Sequence, residues 1–414
     1  MRSFSTVESL KEKDSSDAKQ KRYEARLVGV LFFVWGIAFL DRMSILFLAP
    51  FFVPELHLKN SQVGLLASVL AIAWAASGLC FGVVSDHVGR RRALLPLTFF
   101  FSFASWCVGI VRSFLQMAIL RALMGLDEGA IFTTLTVTLE ESSAPQRRGR
   151  NVGMVVSAAA LVSSGIGPIL ITQAAQRFGW RFSFFLSGAP MLILSLLLWK
   201  YLKEPNPSIS HPPLRQYFSI LRYRNVILSC IAASGFMTWL WVMGAFAPLY
   251  ITQVTGHSPA MAGLIMGAGG IGGFFWAFLA PGWSDRFGRK RVLMSIALLS
   301  ALVPLTYQVG FLQHHVLWMM LAGFVANGGQ AIAALVLVLI PAESVPRALS
   351  GTAIGLVTFA SEIVGGTIAP AVSGVAADKF GLATPLWIAA CGGLIVFLVS
   401  MLVRETSPAG TGRN

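Results

Sequence analysis

Long apolar stretches constrain this chain more than any other feature, because about 20 residues at a rise of roughly 1.5 Å cross a hydrocarbon core about 30 Å thick. Of the 414 residues, 55% are hydrophobic and only 12% are charged, whereas soluble domains have about a quarter of their residues charged. The sequence therefore predicts an all-α membrane protein with twelve transmembrane helices. The predicted spans are residues 27–53, 61–84, 93–111, 114–138, 152–175, 182–201, 225–252, 260–283, 292–311, 315–341, 348–376 and 383–403.

The placement of the 32 Lys and Arg residues supports this count of spans. Cytosolic loops of membrane proteins carry an excess of these cations. With both termini in the cytosol, 25 of the 32 fall in cytosolic segments, five fall on the opposite side and two lie within spans. Topology thus accounts for the net charge of +14 without a nucleic-acid partner. We expect a protein of the bacterial inner membrane or plasma membrane with cytosolic termini.

A proline-containing hydrophilic stretch after the sixth span indicates two halves of the chain. We predict a cytosolic tail (1–26), expected to be disordered, an N-terminal six-helix bundle (27–202), a cytosolic linker (203–222), a C-terminal six-helix bundle (223–404) and a cytosolic tail (405–414). Matching segments recur at offsets of 199 and 202 residues, so the bundles read as repeats in the same orientation. Transporters built from such repeats bind substrate near mid-membrane, where the repeats meet.

Two loops carry the clearest motif, GVVSDHVGRRR at 82–92 and GWSDRFGRKR at 282–291. They resemble the signature loop of the major facilitator superfamily, Gly-x-x-x-Asp-Arg-x-Gly-Arg-Lys/Arg, although the first copy has His87 in place of Arg. The resemblance implies two pseudo-symmetric six-helix bundles. Asp86, Arg90, Asp285 and Arg289 are predicted to form a charge network across the cytosolic face, a cytosolic gate. The alternative is that these cations only determine topology.

Charged residues inside spans are rare here, and each costs roughly 2.5 to 3.5 kcal/mol at a helix centre on insertion scales, so they indicate function. Asp41 and Arg42 are adjacent on the first span. Arg121 and Glu128 are seven residues apart on the fourth span, and so share one face. Glu362 is alone on the eleventh span and matches no motif.

The DR pair on the first span and R-x-x-x-G-x-x-E-G on the fourth resemble the anion:cation symporter family of this superfamily. The resemblance implies that Asp41 and Glu128 carry coupled protons, that Arg42 meets the substrate anion, and that Arg121 helps to bind it or responds to Glu128. We expect these four groups to share a hydrated chamber between the halves. The alternative is a static pair buried between helices, which contributes little to stability.

Several further residues have two interpretations. Glu362 is a candidate substrate-binding residue, and Asp127 has no assigned role. The second half has no intramembrane Lys or Arg, so its substrate contacts are expected to be neutral: Trp239, Asn327 and Gln330. Residues of these types pack between transmembrane helices as often as they bind substrate.

The energy source follows from what the sequence lacks. No hydrophilic segment is long enough for an ATP-binding domain, and no Walker-type loop occurs. The histidines and cysteines have no metal-ligand spacing, so we expect no metal, no cofactor and no enzyme activity.

The sequence predicts a monomeric secondary transporter that imports a small organic anion, a carboxylate or sugar acid, with protons. The alternatives are a proton-coupled efflux antiporter of amphipathic compounds and a transporter-like membrane sensor.

Overall fold

The computed structural model describes residues 2–144, 147–204, 219–346 and 349–406, and its regular structure in these ranges is helical. The described ranges contain twelve long helices. They are α1 (Arg2–Phe47), α2 (Asn60–Val88), α3 (Arg90–Val108), α4 (Phe114–Ser142), α5 (Arg148–Ala158 continued by Gly167–Phe178), α6 (Trp180–Tyr201), α7 (Arg224–Gln253), α8 (Pro259–Phe287), α9 (Arg289–Thr306), α10 (Val316–Ala326 continued by Gly329–Ala333 and Ile340–Glu343), α11 (Ser350–Ser361 continued by Ala369–Phe380) and α12 (Ala383–Leu402). Short helices at Ala49–Glu55 and Gly310–Gln313 follow α1 and precede α10.

The structure confirms the all-α membrane fold. Ten of the helices in the described ranges are long and apolar enough to cross a bilayer by length and composition. The other two, α3 and α9, begin with three basic residues each, at 90–92 and 289–291, which lowers their mean hydropathy. Large apolar side chains on the outside of the bundle, such as Phe103, Leu115 and Leu317, are more than half exposed, as expected for surfaces that face lipid.

In the part of the chain that the structure describes, three helices depart from regular α geometry in a way the sequence did not predict. α5, α10 and α11 contain π-helical segments at Ala159–Ile166, Ala334–Leu339 and Glu362–Ile368. π-Helical turns carry one extra residue per turn and are often found at functional sites. The segment in α11 begins at Glu362, the isolated acid of the eleventh span.

The first helix begins earlier than predicted. Residues 2–26 continue α1 toward the N-terminus, so the prediction of a disordered arm is wrong. The segment has no proline or glycine and contains four Lys, three Glu and three Arg, which favour helix. Glu24 is buried and accepts hydrogen bonds from Arg147 (2.8 Å) and from the backbone N–H of Ala144 (3.0 Å), so it fastens this end of α1 to the start of α5.

Matching glycines mark the two halves, α1–α6 and α7–α12. Gly89 and Gly288, between α2 and α3 and between α8 and α9, have φ values of 100° and 98°. Gly179 and Gly381, before α6 and α12, have φ values of 86° and 87°. Side chains are rarely accommodated at such positive φ values, so these turns require glycine. The domain boundaries stay a prediction, and residues 205–218 of the linker and 407–414 of the tail lie outside the described residues.

The interface between the halves, here called the seam, is formed mainly by α2 against α11 and α5 against α8. The backbone N–H groups of Asn60 and Ser61 donate to the carboxylate of Asp378 (2.9 and 3.0 Å). The Ser68 hydroxyl donates to the carbonyl of Thr367 (2.5 Å). These contacts lie between the middle of the helices and the end predicted to be extracellular.

Candidate functional site: a buried arginine at the seam

The side chain of Arg42 reaches from α1 into the middle of the seam and is 2% exposed. Its guanidinium carbon lies 4.2 Å from the ring centroid of Trp241, 5.1 Å from Trp74 and 5.7 Å from Phe39. These three rings, from α7, α2 and α1, are here called the aromatic cage. Each distance lies within the roughly 6 Å range in which a cation is attracted to an aromatic face. Both halves thus hold the same positive charge.

Arg42 also forms an ion pair across the seam. Its Nη2 donates to Oε1 of Glu362 on α11, and the Glu362 side chain is 3% exposed. The pair therefore connects the first helix of one half to a π-helical segment of the other. The structure brings together two residues that the sequence placed on separate helices without linking them.

Asp41 points in another direction from Arg42. One of its oxygens accepts hydrogen bonds from the hydroxyls of Ser105 on α3 and Ser187 on α6, both at 2.6 Å, and its other oxygen has no hydrogen-bond partner within the described residues. Asp41 is fully buried inside the N-terminal half. Asp41 points away from Arg42, because adjacent helical residues point about 100° apart, and the hydrated chamber shared by the four charged groups stays a prediction.

Arg121 and Glu128 lie on the buried face of α4, each 1% exposed. Nη2 of Arg121 donates to the backbone carbonyl of Arg42 at 3.0 Å. Its Nε and Nη1, and Oε1 of Glu128, have no hydrogen-bond partner in the described part of the chain. Glu128 interacts electrostatically with Arg42 and Arg121 without an ion pair to either among the described residues. Static pairing of Arg121 with Glu128 is therefore not what holds them in place.

Asp127 is a neighbouring acid without an evident role. It is 3% exposed, and neither carboxylate oxygen has a hydrogen-bond partner within the described ranges. Gly125 and Gly129 on either side bring α4 into backbone contact with α2, at Leu70 and Trp74. Asp127 therefore lies beside a close helix crossing.

A small cavity of about 60 Å³ lies between α1, α5 and the C-terminal half. Met43 and Leu240, chain neighbours of Arg42 and Trp241, are in its wall, so it shares helices α1 and α7 with the arginine site. Most of the lining is apolar or glycine. The lining residues are Met43, Phe47, Ser164, Trp239, Leu240, Met243, Gly244, Met266, Gly269, Gly270, Gly273, Val303, Tyr307, Asn327 and Gly329.

Two of the three predicted neutral contacts line this cavity. Trp239 donates its indole N–H to the carbonyl of Ser300 (2.9 Å), so it offers a ring and no free donor. Asn327 lies at the interruption of α10, where its side-chain oxygen accepts from the N–H of Gly329 (3.4 Å). The side chain of Gln330 lies outside the described residues.

Sequence reasoning missed the aromatic cage. Trp74 and Trp241 are tryptophans in the middle of predicted spans, whereas tryptophan is enriched at the membrane interfaces. That unusual depth is a signal that could have identified them. Trp241 also stands two positions after Trp239, so the two rings of α7 face different sites, one the arginine and one the cavity.

The predicted cytosolic gate is divided between the halves. Arg90 donates to both carboxylate oxygens of Glu141 (3.1 Å each) within the N-terminal half. Arg289 pairs with Asp285 (2.6 Å) and Glu343 (2.8 Å) within the C-terminal half. These ion pairs each lie within one half, and a network across the cytosolic face stays a prediction. The side chain of Asp86 lies outside the described residues.

The acids of these clusters were also missed, although the repeat contains them. Glu141 and Glu343 are 202 positions apart, and each is followed by serine, as E-S-S-A-P and E-S-V-P. A search for acids at the repeat offset would have found both. Each carboxylate lies at the C-terminal end of its helix, α4 or α10, and pairs with the arginine that begins the preceding helix, α3 or α9.

An ion pair outside the spans provides a contrast with the buried site. Arg181 on α6 contacts the carboxylate of Glu55, which is 48% exposed. The indole N–H of Trp180 donates to the other oxygen of Glu55 (2.6 Å), and this bond, followed by the Arg181 guanidinium, lowers the pKa of Glu55. Both partners belong to the N-terminal half, so the pair does not bridge the seam.

Comparison with known proteins gives a consistent family. A sequence model of the Major Facilitator Superfamily matches residues 31–366 and 228–414. The hexuronate transporter of Bacillus subtilis (strain 168) is 26% identical over 407 residues, covering 91% of this chain and 93% of that protein. A probable 4-methylmuconolactone transporter of Cupriavidus pinatubonensis is 25% identical over 66% of each chain.

Efflux proteins and solved transporters are also similar. The multidrug resistance protein MdtG of Yersinia enterocolitica is 25% identical, covering 66% of this chain and 69% of that protein. The fold matches the crystal structure of a bacterial homolog to the human lysosomal transporter Spinster, inward-facing and unoccupied. That match has a TM-score of 0.72 at 17% identity and covers 92% of this chain and 98% of the other.

Proposed function

We propose, from the premise that the chain belongs to the major facilitator superfamily of membrane transporters, that it imports a small organic anion together with protons by alternating access. The observation that supports this most is the position of Arg42. A guanidinium buried at the seam meets both halves, so an anion bound there contacts the parts that move relative to each other. Intramembrane cations are costly, which favours a transport role over a packing role.

Proton coupling is assigned in this proposal to Glu128 and Asp41. Glu128 lies in the field of Arg42 and Arg121, so an anion that neutralises Arg42 favours the protonated form of this acid. Asp41 faces Arg121 electrostatically from inside the N-terminal half and does not meet the substrate directly. Its role would be carried through Arg121, which bonds the backbone of Arg42. Arg121 is then a positioning residue that responds to both acids.

The substrate class rests on the relatives and on the cavity. A hexuronate transporter and a probable 4-methylmuconolactone transporter are both carriers of oxygen-rich organic compounds. The cavity beside Arg42 adds an apolar wall with polar atoms at Ser164, Tyr307 and Asn327. We propose a carboxylate or sugar acid as the cargo, and a bacterial inner membrane or plasma membrane with both termini cytosolic as the location.

Uptake into proteoliposomes tests this function. The purified protein is supplied with glucuronate, citrate and 3-(3-hydroxyphenyl)propionate in radiolabelled form, with an imposed inward proton gradient. We expect accumulation of at least one acid that collapses when a protonophore is added. Failure of the gradient to accumulate any acid in a broad panel that includes these three would overturn the proposal.

A second candidate function is efflux of amphipathic compounds. It is favoured by the methionine- and glycine-lined cavity and by the similarity to a multidrug resistance protein. Met side chains adapt to varied apolar ligands. The direction of transport separates the two functions. An inward proton gradient drives a cationic or neutral dye outward through an antiporter, whereas an importer of anions does not expel the dye.

Glu128→Gln is expected to uncouple transport from the proton gradient. A gradient of about one pH unit supports about tenfold accumulation per coupled proton, since about 1.4 kcal/mol corresponds to a factor of ten. The variant should lose this tenfold accumulation. It should still exchange labelled for unlabelled acid across the membrane, because Arg42, the proposed binding group, is intact. Glu140→Gln is the matched control, an exposed acid at the end of the same helix, and should accumulate acid as the wild type does. Unchanged accumulation by Glu128→Gln would contradict its role.

A further inference from the structure

We infer that Glu362 is a carboxylate of the carrier itself that competes with the substrate carboxylate for Arg42 and so drives substrate release. The inference rests on the proposed function and assigns a role to an acid that no family motif covers. In the described conformation the carboxylate of Glu362 is already bound to the Arg42 guanidinium, the group that the substrate would need. It stands where a bound anion would stand.

Because the site is buried, the carboxylates of Glu362 and of the substrate cannot bind Arg42 at the same time. The side chains of Arg42 and Glu362 are 2% and 3% exposed, and the aromatic cage covers the guanidinium from α1, α2 and α7. Nε of Arg42 has no hydrogen-bond partner among the described residues, but it is buried, so a second anion cannot reach it from solvent while Glu362 is in place. A substrate carboxylate must therefore take the place of Glu362, and Glu362 must take the place of a departing substrate.

The local charge balance allows one anion at a time. Among the described residues, the helices packed against α11 carry their other acidic, basic or histidine side chains near their ends: His87 in α2, with Lys59 just before its start, Arg224 in α7 and Glu343 in α10, and none in α12. The side chain of Asp86, also near the end of α2, lies outside the described residues. Arg42 is in contact with Glu362, and Arg121, Glu128 and Asp41 are further charged groups that interact electrostatically within the same cluster. The cluster already has three carboxylates beside two guanidinium groups, so a bound substrate carboxylate adds a further uncompensated negative charge, and Glu362 takes up a proton when the substrate is bound.

Release then follows as a balanced exchange. The protonated Glu362 gives its proton to water on the cytosolic side, its carboxylate forms the ion pair with Arg42, and the substrate carboxylate leaves to the same side. One proton and one anion are delivered together. Because the new ion pair joins α1 to α11, it also holds the empty carrier in the conformation closed by the Asn60 and Asp378 contacts.

The test compares Glu362→Gln with the wild type, using whichever of glucuronate, citrate and 3-(3-hydroxyphenyl)propionate the wild type accumulates. Removal of the competitor should tighten binding of that acid at least ~10-fold, because Arg42 is no longer occupied for most of the time. The maximal rate of uptake should fall by at least ~10-fold, because release loses its driving partner. Affinity and turnover thus change in opposite senses, whereas general damage to the site weakens both.

Two further variants keep the test decisive. Glu362→Asp retains a charge for Arg42 and shortens the side chain by one methylene, so it should fold even where the glutamine variant does not, and it should shift affinity and turnover in the same directions by less. Glu55→Gln, which breaks an exposed ion pair away from the seam, should leave both unchanged. If the wild type takes up the acid and the Glu362 variants bind it no more tightly than the wild type does, this inference is overturned and the proposed function is not. Absence of acid uptake by the wild type overturns the proposed function instead.

Discussion

Arg42→Ala is expected to reduce proton-driven uptake of an organic acid, measured as kcat/KM in proteoliposomes, by two to three orders of magnitude. A hydrogen bond to a charged group contributes about 1.5 to 3 kcal/mol. Truncation also leaves Glu362 buried without its counter-ion, and breaking such a pair costs about 3 to 5 kcal/mol. The aromatic cage loses its occupant at the same time. Substrate affinity and stability should therefore both fall.

Three comparisons separate these effects. Arg42→Lys keeps the charge and lacks the planar fork that stacks on Trp241, so we expect partial activity. Arg177→Ala, at an exposed arginine near the end of α5, should transport normally. The double variant Arg42→Ala/Glu362→Gln should recover thermal stability without recovering uptake. Full retention of neutral-compound transport by Arg42→Ala, with no acid uptake by the wild type, would favour the efflux antiporter.

The helices and their order were predictable because membrane insertion depends on local properties. A run of apolar residues specifies a span wherever it packs, and the placement of Lys and Arg specifies which loops stay in the cytosol. The predicted spans accordingly agree with the observed helices to within about five residues, except at the two ends of α1, which begins at Arg2 and ends at Phe47. The π-helical segments and the interruption at Asn327 were not predictable in this way, because they depend on packing between helices.

The site was predictable in its residue types and not in its pairing. Asp41, Arg42, Arg121 and Glu128 could be selected because charge inside a span is costly wherever it lies. Which of them face the seam depends on helix rotation, and Asp41 turns away to Ser105 and Ser187. Glu362, the partner of Arg42, is 320 residues away in the sequence and belongs to no recognised motif. Long-range pairing of this kind requires the packed structure.

Gly270→Ala is expected to shift the protein out of the described conformation and to lower transport about 10- to 100-fold. A β-carbon at Gly270 on α8 would lie 1.7 Å from the carbonyl oxygen of Ser164 on α5, so the two halves must separate there. Overpacking typically costs about 1 to 3 kcal/mol, which corresponds to roughly 5- to 150-fold in a conformational equilibrium. Spin labels at Gln176→Cys and Val254→Cys, at the outer ends of α5 and α7, should report a longer distance between the halves.

Two glycines on the same helix distinguish separation of the seam from general strain. Gly272 is equally crowded, with its added β-carbon 1.9 Å from the carbonyl of Phe324, but that neighbour is α10 of the same half. Gly272→Ala should therefore lower thermal stability without changing the label distance. Gly282 has nothing within 4 Å, and Gly282→Ala should change neither quantity. If Gly270→Ala kept the wild-type label distance and transport rate, close contact of α5 with α8 would not be part of the transport cycle. Alternating access would then have to proceed through α2 and α11 alone.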